Sequence, residues 1–174
     1  MQTQVKSGRI DHVGEDAIIL GCFEPESKST ITLQIPDDRL SSFIAPLLVS
    51  GDFTAKLGQA VVLYPQNGFF AKRIILTGLG KKNEVTTERI RKAYAYAGKK
   101  ARELKIRSLA VMALESDHLP IKLRQSSQAI VEGILLANYK LDRYITEAID
   151  QKNVLQNLII LASKPKRIPE IEKG

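Results

Sequence analysis

The stretch 51–80 constrains the fold of this 174-residue chain more than any other segment. It contains two apolar runs of β-forming residues, 60–64 and 74–76, on either side of the pair Asn67-Gly68. An Asn-Gly pair between two such runs is the strongest short-range sequence signal for a β-hairpin. The second run ends in a glycine-rich turn, and a helical pattern follows it. The segment therefore predicts two antiparallel strands and a strand-to-helix turn.

Strand and helix patterns alternate along the chain, and several strand patterns are apolar without interruption. Uninterrupted runs such as 60–64 and 74–76 indicate strands that are covered on both faces. Alternating strands and helices are typical of a mostly parallel sheet, to which the hairpin adds one antiparallel pair. We therefore predict an α/β fold, a three-layer α/β/α sandwich around a mixed, mostly parallel sheet. The expected strands are 2–6, 17–23, 30–35, 60–64, 74–76, 109–114 and 155–162, and the expected helices are 37–49, 86–104 and 122–139.

Residues that favour helix ends support two of these helices. The first has a pair of aspartates at its start and Gly51 after its end, which are good N-cap and C-terminal signals. Pro46 within this helix is expected to kink or shorten it. Thr86 or Thr87 is expected to cap the second helix, with a glutamate just inside its first turn.

Length and composition together predict the number of domains. A hydrophobic content of 44% over 174 residues is enough for one compact domain with a core, which we expect over residues 1–163. The ending 164–174 is polar, contains two prolines and shows no strand or helix pattern. It is predicted to be the start of a linker.

Hydropathy and charge limit the cellular locations and the partners that the chain is expected to have. The chain has no apolar run of about 18 residues, so no membrane helix is expected. Its polar first residues lack the apolar core of a signal peptide, which predicts a cytoplasmic location. The 26 Lys and Arg residues outnumber the 19 Asp and Glu residues, which gives a net charge of +7. This charge favours anionic partners without identifying one, and a solvated basic surface is the simpler explanation.

Few residues offer catalytic or metal-binding chemistry. His12 and His118 are far apart in sequence, and neither has a second metal-type residue at ligand spacing. Asp117 beside His118 is the one adjacent acid and imidazole, and it is interpreted as an ordinary loop pair. Cys22 is the single cysteine, and its apolar neighbours indicate a buried thiol.

The turn Gly78-Leu79-Gly80 is the feature that most resembles a phosphate-binding loop. Glycines between a strand and a helix let backbone amides approach an anion. The pattern is incomplete, because a dinucleotide fingerprint requires a third glycine where Asn83 stands, and a P-loop requires Ser or Thr where Lys82 stands. Chain geometry is the alternative reason for these glycines.

A basic surface is predicted on the second helix and just before it. At 100° per residue, its outward residues lie away from the apolar stripe. Such a surface suits contact with nucleic-acid phosphate, although it lacks aromatic residues for base stacking, and a solvated helix face is the alternative. The residues of this candidate anion or nucleic-acid surface are Lys81, Lys82, Arg89, Lys92, Lys99 and Arg102.

Four segments in the same order resemble the N-terminal domain of the leucyl aminopeptidases, a family of cytosolic dinuclear metallo-aminopeptidases. The last is the most specific, because it is similar to the family pattern E-G-x-x-L-x-x-Y-x-F-D-x-Y, with Leu141 in place of phenylalanine. The segments are GDFTAKLGQAVVLYP (51–65), AKRIILTGLGK (71–81), TTERIRKAYAYAGKKARELK (86–105) and VEGILLANYKLDRY (131–144).

The resemblance implies a macrodomain-like α/β/α domain joined by a linker to a C-terminal catalytic domain. That absent domain is implied to hold two divalent metals, Zn or Mn, and to assemble as a hexamer that removes N-terminal residues such as leucine from peptides. The family motif N-T-D-A-E-G-R does not occur in this chain. No catalytic, cofactor-binding or metal-binding residue is therefore assigned in it.

Two functional hypotheses follow. The first is a non-catalytic domain of an aminopeptidase that packs against its own catalytic domain, supports assembly and shapes access to the active sites. The second is a binding module, either for DNA through the basic surface or for an ADP-ribose-type ligand through the turn 78–80, the latter by analogy of fold alone.

Overall fold

The computed structural model describes residues 1–25, 38–65, 71–115, 119–139 and 155–174. Their order of strands and helices confirms the predicted α/β class. The expected strand 30–35 and the pair Asn67-Gly68 lie outside the described residues. The strands are β1 (Gln2–Ser7), β2 (Ala17–Phe23), β3 (Ala60–Leu63), β4 (Ile74–Gly80), β5 (Ser108–Met112) and β6 (Asn157–Ala162), and the helices are α1 (Asp38–Ser50), α2 (Thr87–Glu103), α3 (Leu123–Asn138) and α4 (Ile168–Glu172).

The six strands form one sheet in the order β1-β6-β5-β2-β4-β3. Every neighbouring pair is parallel except β3 with β4, which is antiparallel. The mixed, mostly parallel sheet and the antiparallel pairing of 60–63 with 74–77 are thus confirmed.

Burial differs between the two strands of this antiparallel pair. All seven residues of β4 are buried, as expected for a strand covered on both faces. All four residues of β3 are half-buried, with Val62 packed against the apolar cluster on one face of the sheet and Val61 and Leu63 against the cluster on the other, so the same expectation is confirmed only in part for β3. Among the strands that the structure describes, β3 lies at the edge of the sheet and pairs only with β4, which leaves it more exposed than β4.

Helices cover the two faces of the sheet, which completes the predicted three layers. Alternate residues of β2 point to opposite sides: Ile18 and Leu20 belong to the apolar cluster that contains α1. Ile19 and Phe23 belong to the cluster that contains α2, α3 and α4. This alternation is the period of a strand packed on both faces.

Two helix ends match their sequence signals, and one expectation for α1 is wrong. Thr86 is the N-cap of α2, and its hydroxyl accepts a hydrogen bond from the Arg89 amide at 3.2 Å. Gly51 follows α1 with a φ of +78°, a conformation that glycine adopts without strain. Pro46 does not shorten α1, which continues to Ser50. Pro46 is exposed, and its missing N–H leaves the carbonyl one turn earlier without an intrahelical donor.

The ending of the chain also differs from the expectation. Residues 164–174 were predicted to form no helix or strand, whereas Pro165–Arg167 form a 3-10 turn that leads into α4. Ile171 of α4 is buried in the apolar cluster with α2 and α3. Ile168 also packs against this cluster, and a proline stands near the start of both the 3-10 turn and α4. A helix of five residues is too short to show a helical period in the sequence. The assignment of this segment to a linker stays a prediction.

Helices α2 and α3 pack closely because each presents a glycine to the other helix. A methyl group on Gly133 of α3 would lie 2.4 Å from the carbonyl oxygen of Arg91 and 3.1 Å from the amide of Ala95 in α2. A methyl group on Gly98 of α2 would lie 3.0 Å from the Ala137 side chain. Position 133 has no room for a larger residue unless the backbones of the helices shift, and position 98 is tightly packed.

We expect Gly133→Ala to destabilise the fold despite the better helix propensity of alanine. That propensity alone favours alanine by about 1 kcal/mol, whereas forcing an extra carbon into a packed contact costs about 1–3 kcal/mol or more. The added methyl carbon would lie 2.4 Å from a backbone oxygen, so we expect a destabilisation near the upper end of this range. The change in the free energy of unfolding is measured by urea titration.

Gly14→Ala is the matched control, because a methyl group there would meet nothing within 4 Å. It should change the free energy of unfolding by less than about 0.5 kcal/mol. Equal stability of Gly133→Ala and the unsubstituted chain would contradict the close packing of α2 on α3.

Candidate functional site

The expectation of a glycine turn at 78–80 is wrong, because these residues form the last part of strand β4, and their backbone amides are engaged by the chain itself. The Gly78 amide donates to the Gln59 carbonyl at 2.8 Å, and the Gly80 amide donates to the Ala55 carbonyl at 3.0 Å. These two donors, which a phosphate would require, thus already have partners.

The glycines themselves have geometric roles. A methyl group on Gly78 would lie 2.0 Å from the Lys56 carbonyl oxygen, so the residues before β3 can approach β4 only because position 78 lacks a side chain. Gly80 has a φ of +76°, which favours glycine. The geometric interpretation therefore accounts for both residues.

The six predicted basic residues separate into two groups. Lys81, Lys82 and Arg89 form the first, around the turn that precedes α2. Glu84 pairs there with the Arg89 guanidinium at 3.0 Å and with the Lys81 ammonium at 3.7 Å. Lys81 and Lys82 also line a pocket of about 320 Å³ with Glu24. This group contains carboxylates close to its cations, which reduces its attraction for an anion.

Lys92, Lys99 and Arg102 form the second group, on α2 where it meets the C-terminal half of α3. They border an open groove of about 460 Å³, here called the α2/α3 groove. Its remaining lining is apolar or aromatic. The lining residues are Lys92, Ala95, Tyr96, Lys99, Arg102, Leu136 and Ala137.

Large apolar side chains are exposed in and beside this groove. Tyr96 is 54% exposed and Leu136 is 63% exposed. Tyr139 is 71% exposed and lies three residues beyond Leu136, so the two are neighbours on the helix surface. Sequence reasoning missed this apolar floor, and the expectation that the basic surface lacks aromatic residues is wrong, because exposed Tyr96 lines the groove with Lys92 and Lys99. Leu136 was the available signal, because it lies well away from Ile134 of the buried stripe at 100° per residue.

Two arginines of α2 hold α3 and thereby shape the groove. Arg102 donates to the Ala137 carbonyl at 2.6 Å, which satisfies a carbonyl in the last turn of α3. Arg91 donates through Nε and a terminal nitrogen to Glu132 at 2.8 and 2.6 Å, and it also pairs with Glu88. The hydrogen bonds from Arg91, and one from Gln128, lower the pKa of Glu132.

The structure thus explains several residues in the described part of the segment 131–144. Gly133 permits the close helix contact, and Glu132 pairs with Arg91 across it. Leu136 and Tyr139 face outward. Leu141 lies outside the described residues.

The remaining candidate residues do not converge on a site. Cys22 is buried, and burial raises the pKa of its thiol to about 12, as expected for an inert cysteine. His12 is exposed in a 3-10 turn, whereas Asp117 and His118 lie outside the described residues. Among the described ranges, no three His, Cys, Asp or Glu side chains group as metal ligands. None of the described helices is long and apolar enough to cross a membrane.

Comparison with protein sequences gives one family and several relatives. The sequence profile of the cytosol aminopeptidase family, N-terminal domain, matches residues 19–148. A probable cytosol aminopeptidase of Alkaliphilus oremlandii is 30% identical over 174 residues, covering 100% of this chain and 35% of the relative. The chain spans about a third of the length of such curated relatives.

Solved structures share the fold. A mutant of tomato leucine aminopeptidase matches with a TM-score of 0.72 at 23% identity, over 99% of this chain and 35% of that one. A Trypanosoma brucei macrodomain in complex with ADP matches with a TM-score of 0.64 at 13% identity, over 98% and 67% of the two chains. At these identities the likeness concerns the fold alone, and it confirms the predicted macrodomain-like architecture.

The pairing of Glu132 with Arg91 predicts a pH-dependent contribution to stability. Because the pKa of Glu132 is lowered in the fold, its stabilising effect is present above the ordinary value of about 4.5 and is lost as the pH falls through the lower, folded pKa. We expect Glu132→Gln to lower the urea midpoint at pH 7, and the difference to vanish at strongly acidic pH.

Glu172→Gln serves as control, because Glu172 is exposed and has no ion pair among the described residues. It should leave the midpoint nearly unchanged at every pH. A Glu132→Gln effect that stays constant from pH 7 to acid would contradict the ion-pair explanation.

Proposed function

The chain belongs to the N-terminal domain family of the cytosol aminopeptidases, and on that premise we propose that it serves as a non-catalytic domain of a larger metallo-aminopeptidase. The match of the family profile to residues 19–148 is the observation that carries this proposal. The relatives support the same proposal, because the whole of this chain aligns with about a third of their length.

Metal-dependent hydrolysis is assigned to the part of such a protein that follows this domain. The described residues do not fit the two divalent metals of the resemblance, since they bring no three metal-type ligands together. Metal-assisted hydrolysis needs a water or hydroxide held by a metal with fixed ligands. No step of peptide hydrolysis is therefore derived from this chain.

The role of the domain in this proposal is packing, assembly and control of access. It packs against its own catalytic domain, contributes to a homohexamer in the cytoplasm and limits which peptides reach the active sites. A rigid α/β/α body suits this role, because both faces of its sheet are already covered by its own helices. New contacts must then form on the outer helix surfaces or the sheet edges.

The two alternative roles receive less support. An ADP-ribose-type role through the turn 78–80 requires free backbone donors, and the Gly78 and Gly80 amides are engaged. A DNA-binding role is supported by the exposure of Lys92 and Lys99, but the floor between them is apolar. Nucleic-acid contact of the backbone type depends on cations facing phosphates rather than on apolar area.

Activity measurements test the proposal directly. The purified 174-residue chain should hydrolyse a leucine anilide no faster than a blank that contains only Mn²⁺ or Zn²⁺. The longer polypeptide read from the same gene should hydrolyse it with either added metal, because metal-activated hydroxide needs the ligands expected beyond residue 174.

A chelator-treated sample of the longer polypeptide is the control, and activity should return on adding metal. Turnover by the 174-residue chain that survives repurification would overturn the non-catalytic assignment. A longer polypeptide that binds no metal and hydrolyses nothing would overturn the aminopeptidase assignment.

A further inference from the structure

Most of the exposed large hydrophobic residues of the described chain lie on the two helices that form the α2/α3 groove or just after them, and Tyr96 and Leu136 line the groove itself. Seven such residues are exposed in total, and four of them lie on α2 and the end of α3. Clusters of this kind on a folded domain mark contact sites, whereas single exposed residues do not. The four residues are Tyr96, Leu135, Leu136 and Tyr139.

The basic residues beside the groove differ in what they are free to contact. Arg102 is tied to the Ala137 carbonyl and completes the end of α3. Lys92 and Lys99 are exposed and have no ion-pair partner among the described residues. The groove thus offers an apolar floor with two available positive charges on its rim. A polar rim around an apolar centre is the usual anatomy of a protein interface.

Gly174 lies on the same side of the sheet as this groove, against α3. A methyl group on it would be 2.3 Å from the Arg124 carbonyl oxygen. At 1.5 Å per residue, Leu136 is about 18 Å further along the same helix. Nearly two thirds of the relatives' length lies outside the match. A segment of that size that starts beside Arg124 can reach the groove.

Charge argues against a second copy of this chain as the occupant. A two-fold contact of the groove with itself would bring Lys92 and Lys99 towards the same residues of the other copy. Like charges at such a contact oppose binding, and the net charge of +7 adds to the repulsion. An acidic rim on the partner removes this cost.

We propose that the α2/α3 groove is the docking surface for an apolar face with an acidic rim on the catalytic part that follows residue 174 in the same polypeptide. This inference rests on the proposed function. Tyr96 and Leu136 fill the centre of the contact, and Lys92 and Lys99 pair with carboxylates at its edge. Arg91 and Arg102 fix the spacing of the helices that form the groove.

Hydroxyl-radical footprinting with mass spectrometry tests the proposal on two samples, the 174-residue chain and the longer polypeptide from the same gene. Labelling of Tyr96 and Leu136 should fall at least about threefold in the longer polypeptide, as for side chains that enter an interface core. Tyr64 is the matched control, because it is a tyrosine that is 60% exposed and does not line the groove. Its labelling should stay unchanged.

Substitutions separate docking from general changes in accessibility. Leu136→Glu places a charge in the apolar centre and should restore Tyr96 labelling in the longer polypeptide, whereas Tyr64→Glu should not. The double change Lys92→Glu and Lys99→Glu should restore it in part, by repelling the acidic rim. Because Leu136 is exposed in the 174-residue chain, Leu136→Glu should leave the Tm of that chain unchanged, which verifies folding.

The outcomes distinguish this inference from the proposed function. A longer polypeptide that hydrolyses leucine anilide but labels Tyr96 and Leu136 as strongly as the short chain overturns the docking surface alone. Protection of Tyr96 and Leu136 in the 174-residue chain at high concentration overturns the docking surface in favour of a second copy of the chain. Protection that appears only on adding a DNA duplex overturns it in favour of nucleic acid. Protection in a polypeptide without peptidase activity supports the docking surface and overturns the proposed function.

Discussion

Burial of the central strands on both faces is the constraint on which the rest of this structure depends. All residues of β2 and β4 are buried, so apolar side chains leave the sheet in both directions and require a helical layer on each side. The one polar side chain of β4, Thr77, donates its hydroxyl to the Ala93 carbonyl of α2 at 2.9 Å. Small residues such as Ala93 and Ala97 let α2 lie close to the sheet. The position of α2 then determines where α3 packs.

Local sequence patterns correctly predicted the strands and helices that have a readable hydrophobic period, and the helix start that has a clear N-cap residue. The strands and long helices were found because apolar runs and helical spacing are readable in sequence, and Thr86 was found because N-caps have few alternatives. Burial of β3 was overestimated, because the edge position of a strand is decided by the pairing of the whole sheet. Helix α4 was missed, because its single buried residue, Ile171, gains its partners only in three dimensions.

In the candidate site, too, the sequence predicted the residues but not their contacts. All six basic residues could be named from sequence, but their partners could not. Glu84 pairs with Lys81 and Arg89, and Arg102 is used to complete α3. Surface ion pairs of this kind contribute little to stability, so their importance here is geometric. The apolar floor between α2 and α3 was missed, because its residues come from two helices whose relative position depends on Gly133 and Gly98.

Net charge and surface geometry give different answers about partners, and geometry is the more specific. A charge of +7 attracts any polyanion at long range, and salt weakens this attraction. An apolar floor discriminates further, because removing Leu136 and Tyr96 from water stabilises a complex only when the partner also presents apolar area. A phosphate backbone presents none, whereas a protein face with a few carboxylates satisfies both requirements. The side chains around the groove therefore favour a protein partner, whereas the net charge of the chain alone favours anionic partners of any kind.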